Sequence, residues 1–273
     1  MTSFAHPGGG IIALSENSAL VADPTENFIW LVEKGQEPKR LVKAFHAHWM
    51  TRGLDGNICT EAFGETGGAW SSAAFRLELP SGKMVELAHR DEVKASVFAV
   101  DRNGALVFQR GDSLVVRKNA EESPFRPAAD QPKLNEVTAY TWSGEDLILA
   151  DRNRVLRIDP KGVTTTIGVI EGKVLEPKIW NGTDTPIVFG LAVEKSGSVL
   201  AAVPSLAKVF RIKKNEITEF VSAENGWRAT GVSVFGDSVF LMESDSGAST
   251  SPRVRILRPD ALNELMALPP REN

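Results

Sequence analysis

One hairpin pattern recurs six times along this chain, and it constrains the fold more than any other feature. "IIALSENSALVAD", "HWMTRGLDGNICTEA", "SVFAVDRNGALVFQ", "VTAYTWSGEDLILAD", "GLAVEKSGSVLAAV" and "TGVSVFGDSVFLMES" each set a short apolar run, a Gly, Asn or Asp turn, and a second apolar run. A third run follows each: "FIWLVEK", "AAFRLEL", "SLVVRKN", "NRVLRID", "AKVFRIK" and "PRVRILR". Five units continue into a fourth: "PKRLVKA", "KMVELAH", "VTTTIGV", "EITEFVS" and "LNELMAL". In the third unit the fourth run falls somewhere in "AEESPFRPAADQP", a poor strand former.

The turns recur roughly every 39 to 53 residues, the range of four-stranded blades. Within the runs apolar residues alternate, and no stretch sustains a 3.6-residue period, so helices are not expected. Six four-stranded antiparallel units predict an all-β chain, a six-bladed β-propeller that hides its sheet edges by closing into a ring. A β-sandwich would not need six copies of one pattern. The expected organisation is one domain over 1–273, with blades near 8–44, 45–90, 91–131, 132–172, 173–222 and 223–270. The first unit already has four runs and the last ends in its own, "LNELMAL". The ring is therefore expected to close by contact between whole blades, not by a swapped terminal strand.

The 273 residues suffice to bury a large core, and a net charge of −4 with 24% charged residues gives no basic surplus for nucleic acid. The single cysteine, Cys59, excludes an intrachain disulfide and a cysteine-rich metal site, and its strand-like setting predicts a buried, inert thiol. No apolar run is long enough to span a membrane, and "MTSFAHPGGG" lacks the pattern of a secretory signal. These features predict a cytoplasmic protein, or a secreted or periplasmic one if a leader has been removed. No G-x-S-x-G elbow, phosphate-cradling loop or dinucleotide fingerprint occurs. Arg110-Gly111-Asp112-Ser113 falls where the third blade needs a tight turn, which Gly and Asp supply for backbone reasons.

In a propeller each blade begins with its innermost strand, and the residue leading into that strand borders the axis. Counting back from each hairpin turn gives an equivalent ring of Gly9, His48, Ser96, Glu136, Phe189 and Thr230. By this register His48 lies at the mouth of an axial pocket, while His46 precedes it in the connecting loop.

The six units resemble the NHL-repeat propellers and the wider group containing the gluconolactonase and senescence-marker-protein lactonases. Gly190-Leu191-Ala192-Val193 with the Ser196-Gly197 turn, "NRVLRIDPKG" at 153–162 and "WRATGVSV" at 227–234 carry the likeness. It spans essentially the whole chain and implies the fold rather than an activity, since this architecture hosts hydrolases, sensors and binding modules. The lactonases hold a divalent cation with a Glu, an Asn and an Asp near these positions. Here "HPGGGII" has glycine where the Glu would stand, and Phe189 and Thr230 precede Gly190 and Gly231 where Asn or Asp is expected. Asn181-Gly182 is an N-G pair, but it lies ahead of the inner strand.

His46 and His48, at i and i+2, would point to one face of a strand, the spacing by which two imidazoles share a metal. Glu136, His6, Glu61 or Glu65 would have to supply a third ligand; a calcium or zinc site of His46, His48 and Glu136 is one expectation, and a hydrogen-bonding pocket wall is the other. Residues 62–72 read as a long, Gly-rich loop bearing Trp70, either a lid over the pocket or an insertion without function. "ESDSGASTSP", with Glu243 and Asp245, is its acidic counterpart in the last blade. Trp227 and Arg228 either clamp an anionic or sugar-like ligand or pack between blades. The first expectation is therefore a propeller that receives a small-molecule ligand or a protein partner's loop on the face built by His46, His48, Trp70, Glu136, Trp227 and Arg228. A metal-dependent lactonase- or esterase-type hydrolase with altered ligands is the second, and a protein-interaction scaffold the third. Neither nucleic acid nor membrane is expected as a partner.

Overall fold

The structure, a computed structural model, describes residues 8–66, 69–89, 93, 97–127, 131–175, 184–224, 226–245, 252–258 and 261–268, with backbone alone at 63–66, 69–72 and 261–264. Six four-stranded antiparallel sheets form the blades of a propeller. The first comprises β1 (Ile11–Ser15), β2 (Ser18–Asp23), β3 (Phe28–Glu33) and β4 (Lys39–Lys43), and the second β5 (Met50–Arg52), β6 (Ile58–Thr66), β7 (Ala69–Glu78) and β8 (Lys83–His89). The third holds β9 (Ala99–Val100), β10 (Leu106–Arg110), β11 (Ser113–Lys118) and β12 (Glu121–Pro124). The fourth holds β13 (Val137–Ser143), β14 (Asp146–Asp151), β15 (Arg154–Ile158) and β16 (Thr164–Val169). The fifth has β17 (Gly190–Val193), β18 (Val199–Val203), β19 (Lys208–Lys213) and β20 (Glu216–Ser222), and the sixth β21 (Trp227–Phe235), β22 (Ser238–Asp245), β23 (Arg253–Arg258) and β24 (Ala261–Ala267).

Every sheet is built from four consecutive strands, so the ring closes by blade-to-blade contact, with β1 lying against β21. The turn glycines explain why the repeat was readable: between the first two strands of blades two to six, Gly56, Gly104, Gly144, Gly197 and Gly236 all take φ between +59° and +82°, a region L-residues avoid. The expected tight turn at Gly111-Asp112 joins β10 to β11, with Gly111 at φ +63°.

Burial is greatest at the second strands and falls outward from them. The second strands are buried on both faces, because neighbouring blades cover them, and so read as continuous apolar runs such as "LVA", "LILA" and "VLAAV". Leu20, Ile148, Leu200 and Phe240 are equivalent side chains of four blades, and each is fully buried. The outermost strands are solvated, to the extent that all four residues of β12 are exposed. That exposure is why "AEESPFRPAADQP" carries so weak a strand signal.

One expectation is corrected. Residues 62–66 and 69–72 are not an irregular loop: β6 and β7 continue their ladder outward through Phe63↔Ser72, Gly64↔Ser71, Glu65↔Trp70 and Thr66↔Ala69. Serine, glycine and alanine dominate that stretch, and their low strand propensity hid it.

Candidate functional site

The face at which the inner strands begin is governed by glycine. Residues 8–10 cross it against three other blades: a Cβ at Gly8 would stand 2.3 Å from the His48 carbonyl oxygen, and one at Gly9 would stand 2.7 Å from both the Phe189 and Thr230 carbonyl oxygens. A Cβ at Gly231 would lie 2.4 Å from the Gly9 oxygen, and one at Gly190 would lie 3.0 Å from the Gly231 Cα. Of the equivalent positions, Gly9, Phe189 and Thr230 thus do meet at the axis, while His48 packs against Gly8. They meet backbone to backbone, however, which shuts this end of the channel. Ser96 and His6 lie outside the described residues. Where the lactonase resemblance would require a carboxylate and amide donor set, Gly9, Phe189 and Thr230 offer crowded carbonyls instead.

What this face does present lies off the axis, over blades one and two. His48 precedes β5, and its Nδ1 lies 3.5 Å from Glu61 Oε1 on β6. Both side chains are largely buried, at 16% and 3% exposed. His46 is not on a strand, as i, i+2 spacing on one face would require; it sits in a turn with φ +53°. That backbone kink, held by the His46 N–H donating to Asn27 Oδ1 at 2.9 Å, brings its ring edge-on to His48 with centroids 4.4 Å apart.

Burial pushes the His48 imidazole down to about 4. Burial also lowers His46, as does the neighbouring His48, while a hydrogen bond to the Pro24 carbonyl and the charge of Glu61 work the other way. Both rings are therefore neutral near pH 7. A carboxylate facing Nδ1 selects the His48 tautomer protonated there and leaves Nε2 as an acceptor. Two neutral imidazoles beside a buried carboxylate can donate to and accept from hydroxyl or carbonyl groups, and they add no positive charge of their own.

The other expected residues are dispersed. Glu136 is 59% exposed and pairs with Arg152 at 3.3 Å, on the rim of blade four. Trp227 stacks on the Arg253 guanidinium, 4.0 Å from its ring, and Arg253 in turn pairs with Glu243 and Glu224, each at 2.8 Å. Arg228 is buried beside them, its Nη1 donating to the Trp227 carbonyl at 3.4 Å. Trp70 contributes backbone to β7, and its side chain, like that of Glu65, lies outside the described atoms. Asn181-Gly182 lies outside the described residues altogether. Among the described residues no three His, Cys, Asp or Glu side chains are placed to hold a metal ion, so His46, His48 and Glu136 do not form the expected set. Cys59 is buried, and its thiol is pushed up to about 12 by that burial, which leaves it protonated and inert.

Sequence reasoning missed a repeated device. Asp23, Asp151 and Glu243, at or near the ends of β2, β14 and β22, and Glu61, midway along β6, are almost fully buried. Asp151 accepts the Asn135 and Glu136 backbone N–H groups at 2.9 and 2.7 Å and ties the chain leading into β13 to its own blade. Asp23 does the same for its following turn, accepting from Thr25 and Glu26 N–H groups. Glu243 binds Arg253 and Arg255, both at 2.8 Å. Glu61 faces His48. The recurring "AD" at 22–23 and 150–151 was the available signal.

No protein-family model matches the chain, and no curated protein matches it by sequence. Solved structures do. The virginiamycin B lyase of Staphylococcus aureus superposes with a TM-score of 0.52 at 16% identity, over 98% of this chain and 86% of that one. A protein provisionally named a gluconolactonase gives 0.59 at 14% identity, over 95% and 89%. The PQQ-bound aldose sugar dehydrogenase of Streptomyces coelicolor gives 0.55 at 13%, over 96% of both chains. The fold is that of the lactonase- and lyase-like six-bladed propellers, and at these identities the likeness extends to the fold alone.

Proposed function

We infer that this propeller binds a small, uncharged polar ligand, one rich in hydroxyl or carbonyl groups, at the His46–His48–Glu61 cluster where blades one and two adjoin. The observation that carries this reading is the His48–Glu61 contact with His46 edge-on to it: a polar cluster taken out of water at a cost a propeller core does not need to bear. Neutral imidazoles suit a neutral ligand, and the extended β6–β7 hairpin rises from the strand that carries Glu61. A metal-dependent hydrolase reading needs a converging ligand set, and among the described residues no three His, Cys, Asp or Glu side chains supply one. Thermal melts against a panel of sugars, polyols and sugar lactones test the binding reading. A compound that raises the melting temperature of the wild type but not of His48→Ala or His46→Ala supports it. Shifts that persist in both variants, or no shift with any compound, overturn it.

A further inference from the structure

The axial channel is shut where the inner strands begin and open where they end. Between the ends of β1, β5, β13, β17 and β21 lies a cavity of about 220 Å³. For scale, an apolar cavity of about 150 Å³ accommodates benzene. Its walls are Ile11, Leu191, Val193 and Val232 with the hydroxyls of Thr51 and Ser233, and Trp142 completes the rim. β9 is too short to reach it, and among the described residues blade three contributes nothing to the lining.

Arg52 stands at the mouth. Its Nη2 donates to the Ala13 carbonyl at 3.1 Å and its Nη1 to the Gly56 carbonyl at 3.4 Å. Neither acceptor carries charge, and no carboxylate of the described residues lies within ion-pairing distance. Asp55, in the adjoining turn, is engaged by Asn57 instead. The same inner-strand edge is knitted across the channel, since the Ala13 N–H donates to Ser233 Oγ at 3.0 Å. This holds blades one, two and six in register around the guanidinium. Of five guanidinium N–H groups, two are used and three remain to donate. The indole N–H of Trp142 has no partner among the described residues.

We propose that this cavity is a second binding site, separate from the histidine cluster, and that it takes a small organic carboxylate. The Arg52 fork would receive the carboxylate and the aliphatic walls the organic part. A guanidinium is shaped for two parallel hydrogen bonds to a carboxylate, and the aliphatic side chains of Ile11, Leu191, Val193 and Val232 offer the organic part a contact that inorganic phosphate or sulfate cannot use.

The test titrates the intact chain with sodium acetate and sodium benzoate, following tryptophan fluorescence and heat, with sodium phosphate, sulfate and chloride as separate arms. The expected result is saturable carboxylate binding, tightest for benzoate, that weakens at least tenfold in Arg52→Met and less in Arg52→Lys, which keeps the charge but not the fork. Thr141→Leu narrows the cavity without touching the Arg52 hydrogen bonds and is expected to weaken benzoate more than acetate. It also decides the matter if Arg52→Met does not fold. His48→Ala is expected to leave carboxylate binding unchanged, so this site can stand or fall independently of the histidine cluster. The proposal is overturned if no carboxylate binds saturably at millimolar concentration, if phosphate or sulfate binds more tightly, or if chloride reproduces the response. It is equally overturned if Arg52→Met and Thr141→Leu bind like the wild type, or if His48→Ala abolishes binding.

Discussion

The two halves of this ring close around the axis in opposite ways. On one side, blades one, five and six touch through Gly9, Gly190 and Gly231, and carbonyl oxygens stand where side chains would otherwise be. On the other, blade three has an inner strand of only two residues, and β5 of blade two lies against β13 of blade four. Trp49 fills the difference. It is buried within the same core as Ala99, Ala139 and Tyr140, and its indole N–H donates to the Phe98 carbonyl at 3.3 Å. A sixfold pattern in sequence therefore need not give sixfold symmetry in space: missing strand can be replaced by one large side chain, and excess closeness accommodated by removing three.

If the indole is what closes the weak half, Trp49→Ala should be the most damaging single change. Truncating a buried tryptophan removes its transfer free energy and leaves a void, about 3–5 kcal/mol together, and here it also orphans the Phe98 carbonyl. On the tight half, Gly231→Ala is expected to lower stability by about 1–3 kcal/mol, because the new Cβ meets backbone that cannot rotate away. Denaturant titrations of both variants compare the two closures directly. If Gly231→Ala proved neutral, the close glycine contacts would not be what holds blades one and six together.

The repeat was legible because its punctuation is obligatory: five turn glycines with positive φ leave little choice of residue, and the doubly covered second strands leave little choice but apolar ones. The site was legible only in part. Counting register brought Gly9, Phe189 and Thr230 together but not Glu136, and counting cannot say whether such positions surround an opening or fill it. That depends on the absence of Cβ atoms at 8, 9, 190 and 231, each a glycine among 23. The contact between His46 and His48 was expected from strand periodicity and arises instead from a turn at His46. Arg52 went unnoticed because nothing local marks it: its significance comes from the Ala13 carbonyl 39 residues away.

His48 lies where the two halves join, with the Gly8 backbone packed on its own, and its titration reports on that junction. Held down to about 4 in the folded chain against an ordinary 6.5, it stays neutral where the unfolded chain takes up a proton. Its stability contribution is complete above pH 6.5 and is lost as pH falls toward 4, about 2 kcal/mol of it by about pH 5. His46 is lowered too and adds in the same direction. Glu122, held below its ordinary 4.5 chiefly by its hydrogen bond from Arg110, begins to lose its contribution only at lower pH, so the window above about pH 5 isolates the histidines. Denaturation midpoints measured between about pH 7 and pH 5 should fall steeply for the wild type and less steeply for His48→Gln. Parallel slopes would mean that His48 is better solvated than its packing implies.

The smallest effect separates the halves most cleanly. Glu136 and Thr230 occupy equivalent positions in the repeat, yet Thr230 is fully buried on the glycine side, its hydroxyl donating to the Met242 carbonyl at 3.4 Å. Thr230→Val preserves shape and removes that bond, for about 1 kcal/mol. Glu136→Ala removes only an exposed ion pair with Arg152, for which about 0.5 kcal/mol or less is expected. A measurable loss in Glu136→Ala that vanishes at high salt would show the pair stiffening the rim of blade four. A loss that survives salt would instead point to the carboxylate side chain packing on the start of β13. In that case the solvated half of the ring would depend on its register positions as much as the glycine half does.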